Sequence, residues 1–199
     1  QYPWQSVNYL ESHDDYTLID RLCSPEEWNN GAPPEDAINR AKLAIGLLLL
    51  CPGIPMLASG QDYLRSKNGV RNTYKRPDLN ALDYDKLSIL EYIHVWIKDF
   101  IRFRMSELGS LVRAKTFLSS DQYEIIKGDK NCFAVIVKEE ADKQTNKILL
   151  ILVNGAENEN HIELPKYLNE LNLQQLLGEK STSMGTIQAI NLQVWGTKI

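Results

Sequence analysis

Glu11-Ser12-His13-Asp14-Asp15 puts three carboxylates and an imidazole within five residues. Such side chains exchange protons near neutral pH or hold positive charge as it develops on a substrate. The same five residues also read as a polar turn with a helix N-cap. A second candidate is the polar stretch Gly60 to Asp85, which carries Arg65, Lys67, Arg71, Lys75 and Arg76 among asparagines. Structureless loops of that length inside a compact domain are usually functional. No Gly-rich phosphate loop, Ser/His/Asp elbow or metal-binding helix motif competes with these two. Cys23, Cys51 and Cys132 cannot all pair and are not at metal-ligand spacing; they read as reduced and structural.

Ser6 to Glu11 reads as a strand that delivers the carboxylate cluster at its C-terminal end. After Pro33-Pro34, Glu35 and Asp36 suit a helix N-terminus, and Ala37, Ile38, Ala41, Ala44 and Ile45 recur at the helical period. The helix becomes apolar all round at Leu47 to Leu50, so that end should be buried on every side, and Pro52-Gly53 stops it. Ile54 to Ala58 is a short buried strand. A long helix is expected over Lys86 to Leu108, with Ile89, Leu90, Ile93, Trp96, Ile97, Phe100 and Ile101 as its apolar stripe. Beyond residue 110 the grammar changes. Strands are expected over Leu111–Phe117, Tyr123–Lys127, Cys132–Lys138, Lys147–Asn154, His161–Leu164 and Ile187–Trp195, with a short helix through Leu168, Leu171 and Leu176.

The expected fold class is therefore α/β plus all-β. Residues 1–108 supply two βα units and residues 109–199 an antiparallel β-sandwich. Two βα units cannot close a parallel sheet or cover both its faces, so a further part upstream is expected, as is a chain that starts partway through something larger. Alone, the first part should expose apolar surface at Leu47–Leu50 and Ile54–Leu57. Composition narrows the function classes. Of 199 residues, 43% are hydrophobic and 24% charged, which excludes a disordered or low-complexity chain. A net charge of -4 argues against nucleic acid as partner. The longest apolar run, Leu43 to Cys51, falls far short of the roughly 20 residues a membrane span needs. Gln1-Tyr2-Pro3-Trp4 lacks the pattern of a signal peptide, and the compartment stays open.

Val7-Asn8-Tyr9-Leu10-Glu11-Ser12-His13-Asp14 resembles the fourth conserved segment of the α-amylase family of glycoside hydrolases, in the form with Ser before His-Asp that is similar to pullulanase-type α-1,6 debranching enzymes. Gly53-Ile54-Pro55-Met56-Leu57, Gly60-Gln61-Asp62-Tyr63-Leu64-Arg65-Ser66-Lys67-Asn68-Gly69, Asn72-Thr73-Tyr74 and Asn80 to Tyr84 resemble the last strand and loop of such a barrel. The resemblance covers residues 1–108. It implies that these form the last two βα units of an incomplete (β/α)8 barrel, whose strand C-termini carry the active site.

The resemblance further implies that Asp14 matches the third catalytic carboxylate, which grips sugar hydroxyls and favours an oxocarbenium-like transition state. His13 matches a sugar-binding histidine. The nucleophile and acid/base carboxylates of a retaining glycosidase lie in earlier segments of the family and have no counterpart here. The expected partners are an α-glucan polysaccharide or oligosaccharide and the missing N-terminal part of the barrel. No cofactor is implied and no calcium-loop spacing is present. Asp15 stands where the family commonly has Asn, and a second carboxylate beside Asp14 is expected to raise the pKa of one of them.

Arg65, Asn68, Asn72 and Tyr74 either line glucan subsites or belong to a loop that bonds to itself. Trp4 and Trp28 read as sugar platforms or as packing. His94 and His161 read as surface residues, Trp96 as core and Cys51 as inert packing. Hydrolysis of α-1,6-glucosidic bonds is the expected parent activity, with this chain alone inactive. A transglycosylase of the same family, a carbohydrate-binding module and a structural scaffold remain open.

Overall fold

A computed structural model describes residues 2–113, 119, 121–129, 131–139, 147–181 and 183–197. The chain forms two compact units. One comprises Val7–Leu49 and Ile54–Ile101; the other comprises Gln1–Ser6, Leu50–Gly53 and Arg102–Ile199.

In the first unit, β1 (Val7–Asn8) pairs in parallel with a second strand, β2 (Ile54–Pro55), in the register Val7 to Ile54 and Asn8 to Pro55. Both strands are shorter than their sequence patterns suggest. Pro55 has no N–H to give to a ladder, and the last rung is Met56 N–H donating to the Asn8 carbonyl at 2.9 Å. Between the strands come α1 (Leu18–Leu22) and α2 (Glu35–Leu50). Thr17 caps α1 by accepting from the Asp20 N–H at 3.2 Å. Along α2, Ala37, Ile38, Ala41, Ile45, Leu48 and Leu49 are buried. Leu48, Leu49 and Leu50 are covered in the whole chain, in line with the expectation that this end of the helix is buried; a turn without a polar face has no side to give to water. Ile54 and Met56 are exposed, as are Val7 and Tyr9 beside them.

The expected long helix is interrupted. After α3 (Pro77–Asn80), α4 (Asp85–Ile89) and α5 (Glu91–Met105) meet at Leu90, whose backbone leaves the helical region at φ -111°, ψ 21°. One turn earlier the Ser88 hydroxyl donates to the Asp85 carbonyl at 2.7 Å, a local bond that competes with the helical ladder. Leu90, Ile93, Ile97 and Phe100 form the buried stripe. Ile89 and Ile101, expected on that stripe, are exposed. Trp96 is half-buried, its ring 4.1 Å from Phe100 and 5.4 Å beneath the Lys42 ammonium.

The second unit is built on a five-stranded antiparallel sheet. Its strands are β3 (Tyr123–Lys127), β4 (Cys132–Lys138), β5 (Ile148–Asn154), β7 (Leu173–Leu177) and β9 (Asn191–Thr197), in the order β3-β4-β5-β9-β7. β6 (Asn160–His161) and β8 (Thr186–Ile187) form a separate two-stranded ladder. β5 lies at the centre and is buried from Leu149 to Asn154, which matches its unbroken apolar run. Cys132, Ala134, Ile136, Leu150, Leu152, Ile162, Leu168 and Ile187 close the core.

Three sequence expectations change in this unit. Leu111 to Arg113 belong to a 3-10 turn, Leu108–Arg113, and the rest of the strand expected over Leu111–Phe117 lies outside the described residues. The helix expected through Leu168 and Leu176 is a 3-10 turn, Lys166–Glu170, followed by β7. There Leu173, Gln175 and Leu177 alternate with exposed neighbours at a period of two. The strand expected over Ile187–Trp195 breaks at Ile190, which takes φ +45° and separates β8 from β9. Cys51, read as packing, is exposed, and its carbonyl accepts from Arg104 Nη1 at 2.9 Å.

Candidate functional site

The five residues after β1 do not act as one cluster. Glu11 is buried, and its Oε2 accepts the Leu18 N–H at the start of α1, while Oε1 has no hydrogen-bond partner among the described residues. Burial raises its pKa above the ordinary 4.5, against the Leu18 N–H and the charges of Arg65 and Lys67. Glu11 thus ties strand to helix and points inward. His13 and Asp14 point outward: their side chains are 88% and 68% exposed, with Nε2 3.5 Å from Oδ2.

Asp15 is the hinge between these directions. It holds φ +58°, a left-handed conformation that residues other than glycine seldom adopt. Its carboxylate takes Arg21 Nη2 at 2.8 Å on one oxygen and Arg71 Nε at 2.7 Å on the other. Its N–H donates to Asn72 Oδ1 at 3.2 Å. The expectation that Asp14 and Asp15 repel into a raised pKa gives way for Asp15. What desolvation it suffers acts upward, but Arg71, the Tyr16 N–H and Arg21 outweigh it and hold the carboxyl below 3.8. The second carboxylate is turned to the guanidinium groups.

Lys67 lies beneath this loop and is fully buried. Its ammonium donates to the Asp15 carbonyl at 2.5 Å and the His13 carbonyl at 3.4 Å. Its own N–H donates to Asp20 Oδ2 at 2.8 Å, and Ser66 Oγ to Asp20 Oδ1 at 2.5 Å, so Asp20 of α1 holds the segment in place. Burial lowers the Lys67 pKa from 10.5, with repulsion from Arg65, against the attraction of Asp20, Glu11 and Asp15. The sequence showed Lys67 only as one cation in a basic loop. A mixed loop of lysines and arginines carries no signal for which one is buried.

The other named residues separate. Arg65 and Asn68 line a cavity of about 160 Å³ together with Tyr63, Asp78, Asp83 and Lys86. Arg65 Nη1 donates to the Asn80 carbonyl at 3.3 Å, whereas Arg65 Nε and the Tyr63 hydroxyl are buried with no hydrogen-bond partner among the described residues. Gly60, at φ +86°, makes the turn into this wall; a Cβ there would sit 2.9 Å from Arg65 Cβ. Asn72 is committed to the Asp15 N–H. Tyr74 is 75% exposed with Lys75 over its ring. Trp28 is half-buried under Lys86, and Trp4 stacks on Tyr2 at 5.8 Å. His94, read as a surface residue, is half-buried and bonded to Asp62 at 2.7 Å. His161 is exposed and faces Thr186 Oγ1 at 3.2 Å.

Among the described residues no His/Cys/Asp/Glu group has the arrangement to hold a metal ion, and no helix is long and apolar enough to cross a membrane. The presented groups can accept hydrogen bonds from hydroxyls and stabilise a cation above Asp14.

No protein-family model matches the chain. It is 35% identical over 113 residues to pullulanase of Bacillus subtilis, covering 56% of this chain and 15% of that protein. It is 28% identical over 140 residues to isoamylase of a Flavobacterium species, covering 60% of this chain and 18% of that protein. The chain therefore spans less than a fifth of the length of either. Among solved structures, pullulanase from Anoxybacillus sp. LM18-11 complexed with maltotetraose superposes with a TM-score of 0.81 at 25% identity, over 99% of this chain and 28% of that one. Pullulanase from Paenibacillus barengoltzii, complexed with maltohexaose and alpha-cyclodextrin, gives 0.80 at 25% identity, over 98% and 30%. In sequence and in fold the chain resembles one portion of the pullulanase-like debranching enzymes.

Proposed function

We propose that this chain is the C-terminal portion of a retaining glycoside hydrolase that cleaves α-1,6-glucosidic bonds in α-glucans. In this reading residues 1–108 are the last two βα units of a (β/α)8 barrel and residues 109–199 its β-sandwich domain. The observation that carries it is the presentation of His13 and Asp14 to solvent, just past a parallel strand, on a loop whose other carboxylates are used internally. Similarity to pullulanases solved with maltooligosaccharides makes a glucan the fitting ligand for that surface.

Asp14 is the transition-state carboxylate in this mechanism. As the glycosidic bond lengthens, the ring carbon and oxygen share positive charge. A fixed carboxylate that also grips ring hydroxyls binds that state more tightly than the ground state. His13 donates to a neighbouring hydroxyl, and Arg65, Asn68, Asn72 and Tyr74 contact the flanking sugars. The nucleophile and the acid/base, about 5–5.5 Å apart in retaining enzymes, come from barrel strands before Val7. The test is an assay on pullulan. The full-length protein should release reducing ends with retained anomeric configuration, and this chain alone should release none. Robust hydrolysis by the chain alone, or none by the full-length protein, contradicts the reading.

A further inference from the structure

The two peptide groups that flank Asp14 are both held by one distant segment. The His13 carbonyl, in the peptide before Asp14, accepts from Lys67 Nζ at 3.4 Å. The Asp15 N–H, in the peptide after it, donates to Asn72 Oδ1 at 3.2 Å. The next carbonyl, that of Asp15, accepts from Lys67 at 2.5 Å. With both adjoining peptides pinned, the backbone angles of Asp14 are fixed, although its side chain touches none of these groups. The left-handed Asp15 is a conformation that persists only where the surroundings over-determine it. A buried ammonium has donors only, so it suits a loop that turns its carbonyls inward and its side chains outward.

We propose that Lys67 is a positioning residue for Asp14: it clamps the His13 and Asp15 carbonyls and so sets the direction in which the Asp14 carboxylate meets the sugar. The inference rests on the role given to Asp14 above. The segment from Ser66 to Asn72 is then a brace for the site as well as a wall beside it. Lys67 acts through Asp14 and not on the substrate, since its ammonium is enclosed.

A double-mutant cycle in the full-length protein tests this. Lys67→Met keeps the length of the side chain and removes its donors. It should lower kcat on pullulan about 100-fold, the order expected for an ångström-scale misplacement, with KM changed far less. In an Asp14→Ala background the same substitution should change kcat by less than about 3-fold. Lys67→Gln also sheds the charge but keeps N–H donors for the inward carbonyls, which makes it the milder change and a second check should the Met variant not fold; it should cost about 10-fold with the same non-additivity. If Lys67→Met or Lys67→Gln costs as much with Asp14 absent as with it present, Lys67 does not act through Asp14 and the proposal falls alone. If Asp14→Ala leaves turnover within a few-fold, the reading of Asp14 falls and takes this inference with it.

Discussion

Lys67 and Asn154 each hold a loop from beneath, one in each unit, and they do so in opposite ways. Asn154, at the end of β5, is fully buried. Its amide nitrogen donates to the carbonyls of Asn158, Ile187 and Gln188 at 2.8, 3.1 and 2.9 Å. Its oxygen accepts from the Ala156 N–H at 2.9 Å. A neutral group with both donors and acceptors closes the network on itself, and it meets the backbone of the loop through carbonyls and an N–H alike. Lys67 carries a charge whose burial is costly and can only donate. The loop above it gives up its carbonyls and presents His13 and Asp14. The contrast is between a corner satisfied by one neutral amide and a loop held through its carbonyls by a buried charge.

Breaking the Asn154 corner should have the largest effect on stability. Asn154→Ala leaves the buried Ile187 carbonyl and Ala156 N–H without this partner and should cost about 3 kcal/mol, read as a lower urea midpoint. Any activity should survive in the molecules that remain folded. Equal loss of stability from Asp14→Ala would erase the distinction between the two regions.

A smaller effect sharpens the comparison inside the first unit. The folded pKa of Asp15 is lowered, so its contribution to stability is present above 3.8 and is lost as the pH falls through the folded value. The folded pKa of Glu11 is raised, so the folded state binds the proton more tightly. Stability should fall as the pH rises from 4.5 through that folded value. Urea unfolding at stepped pH should show Asp15→Asn flattening the acid limb and Glu11→Gln removing the loss on its upper side. The same sign from both variants contradicts the inward and paired placements described here.

Much of this was legible in the sequence. The helix over Glu35–Leu50 followed from its acids, its apolar period and the Pro-Gly stop. β3, β4 and β5 followed from their apolar runs and the polar turns between them. The breaks were not legible. The interruption at Leu90 and the turn at Ile190 fall on ordinary apolar residues, where no glycine or proline marks a change of backbone. The division of labour among Glu11, Asp14 and Asp15 was hidden for another reason. Their directions are set by Leu18, Arg21, Lys67, Arg71 and Asn72, and three of these lie more than fifty positions away. Adjacent carboxylates suggest repulsion until the arginines that separate them are in place.

The presentation of Asp14 for chemistry is tested most directly by kcat on pullulan and the urea midpoint of Asp14→Ala in the full-length protein. An exposed side chain away from the core should leave the midpoint within about 0.5 kcal/mol of wild type. In the role proposed for Asp14, removing its carboxylate should lower kcat about 100- to 1,000-fold. A turnover within a few-fold of wild type, at unchanged stability, would contradict the account.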